Sequence, residues 1–259
     1  MQNTKEDARC QVCDGANCPP LIEQDEWRFR RCADCGLVFL SPMLSDAELA
    51  ELYSNPDSSG TRGYFHKEAS KLRRARIRVR MLAGATAGGA KGRRFLDVGC
   101  SGGFMTQAAV AAGFITWGID LDGEAVAHAK AHYPGATYRV SGLAEFAADF
   151  AARSEEPFDA VYCSEVLEHV ADANAFVGAI SGLLAPGGVL YLTTPDIGHW
   201  RRPRHLPSWD VFTPPRHCLF FSSGNLRQLL ARHGLNIYRR QWAFKPGLKV
   251  FARKTSRLA

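Results

Sequence analysis

The chain has 259 residues, a hydrophobic fraction of 46% and a formal net charge of +6, enough length to bury one full-size core beside a small accessory module. No uninterrupted apolar run approaches the roughly 20 residues that a membrane span needs, and the first residues, Met1 to Arg9, are polar and mixed in charge. These features argue against a membrane protein and a secretory or transit peptide, and place the chain in the cytoplasm. The positive balance permits an acidic substrate or nucleic acid without requiring either.

Residues 1–40 are predicted as a zinc ribbon. Cys10-x-x-Cys13 and Cys32-x-x-Cys35 are paired, with Cys18 between them as a spare. Without a secretory signal, two such pairs read as a metal site rather than a disulfide frame. Two knuckles complete a closed tetrahedral shell of four sulfurs, which suits structural zinc and leaves no position for catalysis. Glu26 to Arg30 alternates like a short strand entering the second knuckle.

Residues 41–92 are predicted as a connector with N-terminal helices. Ser45-Asp-Ala-Glu48 has the form of a capping box ahead of Leu49, Leu52 and Tyr53, and Asn55 to Gly60 reads as a turn. From Lys71 to Leu82, Leu72, Ala75, Val79 and Leu82 fall at helical spacing among Lys71, Arg73, Arg74, Arg76, Arg78 and Arg80. Either this helix packs beside a sheet with its arginines solvated, or it offers a basic face to phosphates.

Residues 93–259 alternate helical stretches with strand-like runs at 94–98, 114–119, 136–140, 158–163, 188–194, 235–241 and 248–253. That alternation calls for an α/β sheet with helices on both faces. The first run ends in Asp97 and is followed by Gly99, Ser101 and Gly103; the second ends in Asp120. A strand, a glycine turn, a helix and a second strand ending in a carboxylate form half of a nucleotide-binding crevice. The pyrophosphate-type spacing Gly-x-Gly-x-x-Gly is absent, which argues against a dinucleotide.

This stretch resembles motif I of the class I methyltransferases that use S-adenosylmethionine. The resemblance continues through Asp120, Gly142-Leu143, Phe158-Asp-Ala-Val161, Leu167-Glu-His-Val170 and Leu184 to Leu190. It implies a Rossmann-like seven-stranded sheet closed by a C-terminal hairpin, with S-adenosylmethionine as cofactor. It further implies that Asp97, Gly99, Ser101 and Gly103 hold the methionine end and that Asp120 takes the ribose. Leu121, Gly142 and Leu143 would lie near the adenine, and Cys163 would face the methionine side. Ser101 stands where the family usually has a glycine, and Gly142 where it usually has an acid.

Acceptor chemistry is expected around Glu165, Glu168 and His169, whose spacing would place them on one face of a helical turn. This pattern resembles the metal-binding motif of ubiquinone-pathway O-methyltransferases and of small-RNA 2′-O-methyltransferases. On that likeness a divalent ion, Mg2+ or another, would bind Glu165, Glu168, His169 and His217, with His205 as a substitute. His169 could equally act as a base, orient a loop, or be structural. Glu168, His169 and His217 are the expected catalytic residues. Residues 196–217 form a connection too long for an ordinary turn; Trp200, Trp209, Arg201, Arg202 and Arg204 suit either a substrate lid or a surface loop pinned by its tryptophans. The expected reaction is O-methylation of a small hydroxylated molecule, a sugar or natural-product intermediate. An RNA methyltransferase of the 2′-O type and a non-catalytic cofactor-binding adaptor are the alternatives.

Overall fold

The computed structural model describes residues 9–54 and 67–255. The turn expected at 55–60 lies outside the described residues, as does most of the N-terminal polar stretch. The catalytic region is a seven-stranded sheet containing β4 (Arg94–Val98), β5 (Ile115–Asp120), β6 (Thr137–Val140), β7 (Phe158–Ser164), β8 (Leu184–Pro195), β10 (Leu235–Arg240) and β11 (Gly247–Lys254). Its order is β10-β11-β8-β7-β4-β5-β6. The strands β6, β5, β4, β7 and β8 run parallel, and β11 and β10 add an antiparallel hairpin at the β8 edge. All seven expected strands are present. β8 begins earlier than expected because Leu184 pairs with Phe158 ahead of an irregularity that precedes Val189.

Helices α1 (Asp46–Ser54), α2 (Glu68–Ala85), α3 (Phe104–Ala111), α4 (Gly123–His132), α5 (Leu143–Ala152), α6 (Ala173–Leu183) and α7 (Ser223–Arg232) connect or flank the strands. Their starts are written in the sequence. Ser45 and Glu48 form the expected box, with Ser45 N donating to Glu48 Oε2 at 2.8 Å. The carboxylates of Asp122 and Asp172 accept from Ala125 N and Ala175 N and so cap α4 and α6. In α2, Ala75, Val79 and Leu82 are buried against the core while Arg73, Arg76 and Arg80 face solvent.

The cysteine-rich segment folds as β1 (Pro20–Gln24), β2 (Trp27–Arg31) and β3 (Val38–Leu40), and β9 (Leu219–Phe220) joins it as a fourth strand. Val38 pairs with Phe220 and Phe39 with Leu219. Phe29 packs on Phe212 with ring centroids 4.8 Å apart. One continuous apolar core includes Cys10, Cys32, Phe29 and Phe39 together with Leu96, Leu190 and Leu226 of the catalytic region. The ribbon strands therefore share a core with the catalytic sheet.

Candidate active site

Beyond the carboxyl ends of β4, β5 and β7 lies a cavity of about 1160 Å³, where open α/β sheets place their ligands. Asp97, Gly99, Ser101, Asp120, Leu121, Gly142 and Leu143 all line it. Asp97 is 1% exposed, and neither carboxylate oxygen has a hydrogen-bond partner among the described residues. Burial, with Asp120 adding to it, holds its pKa well above the usual carboxylate range. A buried carboxylate without donors is costly until a cation or donor reaches it. The ammonium of a methionine moiety has that chemistry.

Asp120 is set for a different task. Its Oδ2 accepts from Ser101 N at 2.7 Å and its Oδ1 from Asp122 N at 3.0 Å. Each oxygen keeps acceptor capacity for one hydroxyl of a ribose diol. Ser101 reaches Asp120 from a left-handed backbone at φ 43°, a conformation in which glycine is less strained. The family's acid is missing at Gly142, yet the same wall carries Glu145, which accepts from Ser141 Oγ at 2.7 Å and pairs with Arg139. Asp120→Ala should weaken binding of S-adenosylhomocysteine by about 1–3 kcal/mol through lost hydrogen bonds. Calorimetric titration checks this, and an unchanged affinity would place the ribose elsewhere.

Two residues expected at the cofactor do not line the cavity. Gly103 (φ +82°) opens α3, and a Cβ there would sit 2.8 Å from Ala129 Cβ, so its glycine serves packing. Cys163 is fully buried in the core. Its neighbours Tyr162 and Ser164 line the cavity instead; side chains alternate along a strand, and Cys163 belongs to the other face.

The acceptor side departs from the expected helical turn. Glu165 follows β7 in a left-handed conformation (φ 55°), and only then does a one-turn 3₁₀ helix run from Leu167 to His169. Glu165 still lies near enough for its charge to act on Glu168 and His169. The Glu165 carboxylate accepts from Thr193 Oγ1 at 2.7 Å. Ligand atoms of Glu168, His169 and His217 do converge, all within 4.8 Å of one another, whereas Glu165 and His205 are not part of this group. His169 and His217 meet edge to face with centroids 4.5 Å apart. Glu168 is fully buried; Oε2 accepts from Thr194 Oγ1 at 2.9 Å, while Oε1 has no hydrogen-bond partner among the described residues and lies 3.9 Å from His169 Nε2. Burial, followed by the charge of Glu165, raises the Glu168 pKa. Burial lowers that of His169. His217 is lowered to about 4 by burial and by His169. Of the three, only His169 lines the cavity.

The contact of His169 Nδ1 with the Arg216 carbonyl, at 2.8 Å, fixes its tautomer. Nδ1 carries the proton and donates it, so Nε2 carries the lone pair.

The connection 196–217 packs largely against the ribbon side. None of its residues lines the cavity. Leu206, Trp209 and Phe212 are buried, with Trp209 packed on Phe220 and Phe212 on Phe29. The Trp209 ring is thus core, whereas Trp200 is 76% exposed. The segment is long because it runs past the ribbon before entering β9.

The four paired cysteines converge. Cys10 Sγ lies 3.4 Å from Cys35 Sγ and Cys13 Sγ 3.4 Å from Cys32 Sγ, and all four lie within 4.8 Å of one another. Burial opposes ionisation of Cys32, but the backbone amides of Cys35 and Asp34 and the thiols of Cys13 and Cys10 outweigh it and lower the pKa to about 7. Four converging soft donors fit a tetrahedral zinc ion. Cys18 is buried beside this set without being one of the four, with Sγ directed at the Gly15 carbonyl; burial, with Cys32 and Cys13 adding to it, pushes its pKa up to about 11.

Lys71, Arg74 and Arg78 of α2, with Lys249 of β11, also line the cavity. The helix thus packs on the sheet as an amphipathic element and still offers cations to the site. Tyr162, Lys249 and Glu145 were not singled out from the sequence. The period of two along β7 and β11 is the signal that could have found the first two.

A sequence profile described as a methyltransferase domain matches residues 64–239, and the chain belongs to this family. Its fold is that of the class I S-adenosylmethionine-dependent methyltransferases. It is 42% identical over 103 residues to the ubiquinone biosynthesis O-methyltransferase of Xanthomonas campestris pv. campestris, covering 40% of this chain and 43% of that protein. The corresponding protein of Aromatoleum aromaticum is 39% identical over 106 residues, 41% of this chain and 45% of its own length. The matches therefore span less than half of these relatives. Among solved structures, magnesium protoporphyrin IX methyltransferase from Synechocystis with bound S-adenosylmethionine superimposes with a TM-score of 0.58 at 17% identity, over 83% of this chain and 100% of that one. The 1,6-didemethyltoxoflavin-N1-methyltransferase of Burkholderia thailandensis gives 0.61 at 17% identity, over 92% and 99%. At this identity the likeness is one of fold. Among the described residues, no helix is long and apolar enough to cross a membrane.

Proposed function

We propose that the protein transfers the methyl group of S-adenosylmethionine to a hydroxyl oxygen of a small molecule, a sugar or natural-product intermediate, in the cytoplasm. The observation that carries this reading is the cavity with an unpartnered buried carboxylate, Asp97, at one side and the oriented imidazole of His169 at another. S-Adenosylmethionine, when bound, supplies a sulfonium-activated methyl. Asp97 would hold its ammonium, Asp120 its ribose hydroxyls, and Leu121, Gly142 and Leu143 its adenine. The chain's own work is then to position the acceptor, exclude water and remove one proton. His169 Nε2, with its partner nitrogen fixed on Arg216, would take the proton of the acceptor hydroxyl. The O-methyltransferase relatives favour oxygen as the acceptor atom.

A second reading of the same cluster rests on one further observation: Glu168 Oε1 and His217 Nδ1 are buried without hydrogen-bond partners among the described residues. Glu168, His169 and His217 could hold a divalent ion, which would lower the pKa of a coordinated hydroxyl. Glu165 takes no part in that set. His169→Ala should lower kcat by about 10²–10⁴-fold with S-adenosylhomocysteine affinity retained. If His169 works as a base alone, wild-type turnover should survive a chelator that leaves the four-cysteine site loaded. Turnover abolished by such a chelator, with release of an ion other than the cysteine-bound zinc, would favour the ion. In this reading, Cys10, Cys13, Cys32 and Cys35 hold a structural zinc.

Methyl-labelled S-adenosylmethionine added with the enzyme to a fractionated cell extract tests the acceptor class. Label in the small-molecule pool, stable to base as an ether is, supports the proposal. Label in nuclease-sensitive material would overturn it in favour of RNA.

A further inference from the structure

We propose that the cavity contains an anion subsite, formed by Lys71, Arg74 and Arg78 of α2 with Lys249 of β11, and that the methyl acceptor carries a carboxylate or phosphate beside its hydroxyl. The inference rests on the reading of this cavity as the methyl-transfer site and adds the charge of the acceptor. Lys71, Arg74 and Arg78 occur at intervals of three and four residues, so they share one face of α2, and all line the cavity, as does Lys249. On the same helix Arg73, Arg76 and Arg80 face solvent without lining it. Asp97 and Asp120 lie at the ends of β4 and β5, whereas the four cations come from α2 and β11. Of the other lining carboxylates, Asp122, Glu145, Glu165 and Asp172, Glu165 is the one whose charge reaches Arg78. A cationic cofactor suits Asp97 and Asp120, and the four cations call for an anion.

The arginine heads are not consumed by internal ion pairs. Among the described residues, none of the salt bridges involves Arg74, Arg78 or Lys249. Glu165 is the carboxylate whose charge reaches Arg78, and its Oε1 is engaged by Thr193. Arg78 is also held in place. Its Nη1 donates to Tyr162 Oη, the Tyr162 ring stacks on Tyr191 at 5.3 Å and 4°, and Tyr191 Oη donates to Gln241 at 3.0 Å. A guanidinium fixed by a tyrosine ladder is pre-organised to receive two oxygens of one group. Lys71 lies over the Phe104 ring, and burial, with Arg74 adding to it, lowers its pKa to about 8. An anion placed between Lys71 and Arg74 would relieve that repulsion.

The test uses the zinc-loaded full chain and titrates inorganic phosphate and benzoate separately, each with and without saturating S-adenosylhomocysteine. At least one anion should bind, with affinity falling as salt is raised. Arg74→Gln and Arg78→Gln should each weaken it by about 10-fold, which corresponds to about 1.4 kcal/mol, while Arg76→Gln leaves it unchanged. Phosphate preferred over benzoate identifies a phosphate-bearing acceptor, and the reverse a carboxylate. Absence of binding by both anions, or equal losses in Arg76→Gln and Arg74→Gln, would overturn the subsite. If anions bind and S-adenosylhomocysteine does not, the cofactor reading fails and the subsite stands.

Discussion

Replacing Asp97 by Asn should make the ligand-free protein more stable near neutral pH, by about 2 kcal/mol, while weakening S-adenosylhomocysteine binding by about 3 kcal/mol, a factor of roughly 100. The two effects have opposite signs because one carboxylate causes both. In the free protein Asp97 is buried beside Asp120 with both oxygens unpartnered among the described residues, so its ionised form carries a cost in folding free energy. Its folded pKa is raised, so the folded state binds the proton more tightly than the unfolded one. The stability linked to that proton is complete below the unfolded value of about 3.9 and is lost as pH rises through the folded value. The Asn variant should lack this loss. Thermal melts of both proteins from pH 4 to 8 measure it: the wild-type curve should fall relative to the variant as pH rises, and parallel curves would mean that Asp97 meets a donor in solution. A stabilising substitution that removes ligand affinity is the mark of a site strained for binding.

Cys32→Ser should lower zinc content and cost on the order of 4 kcal/mol in stability, with effects that reach the acceptor side. The ribbon is tied to the catalytic region at several points. Gln11 donates to Ala171 O at 2.7 Å and accepts from Ala173 N at 2.8 Å, at the start of α6. Asn225 donates to Cys35 O at 3.3 Å, and Arg232 pairs with Asp14 at 2.9 Å. Strand β3 carries the link to His169. Leu40 N donates to Cys218 O, and Cys218 N donates to Glu168 O, each at 2.9 Å. His217 immediately precedes Cys218. Loosening the knuckles should therefore release β9 and disorder the Glu168–His169–His217 group, so turnover should fall more than S-adenosylhomocysteine affinity does. Zinc analysis, melting and single-turnover rates check this, and full zinc content with an unchanged melt would remove the four-cysteine site from the account.

Much of this arrangement was legible in the chain because it depends on local rules. Asp97 and Asp120 end apolar runs, so their position at the crevice follows from strand direction. The Cys-x-x-Cys pairs and the Ser45–Glu48 box are short-range patterns that need no tertiary knowledge. What escaped depends on contacts distant in sequence. The turn at Glu165 has the spacing of a helix but a left-handed backbone, and the bonds to Thr193, twenty-eight residues away, accompany that reversal. Trp209 looks like a stacking residue until β9 joins the ribbon and buries it. The cations of α2 were visible as a run. Which of them face the cavity is decided by how the helix sits on the sheet, through the buried stripe Ala75, Val79 and Leu82.

The most direct measurement is a calorimetric titration of S-adenosylhomocysteine into the wild-type chain and the Asp97→Asn variant under identical conditions. Saturable binding to the wild type, weakened about 100-fold in the variant, is the predicted result. Absence of binding to the wild type, or equal affinity in the two proteins, would contradict the assignment of this cavity and of Asp97 within it.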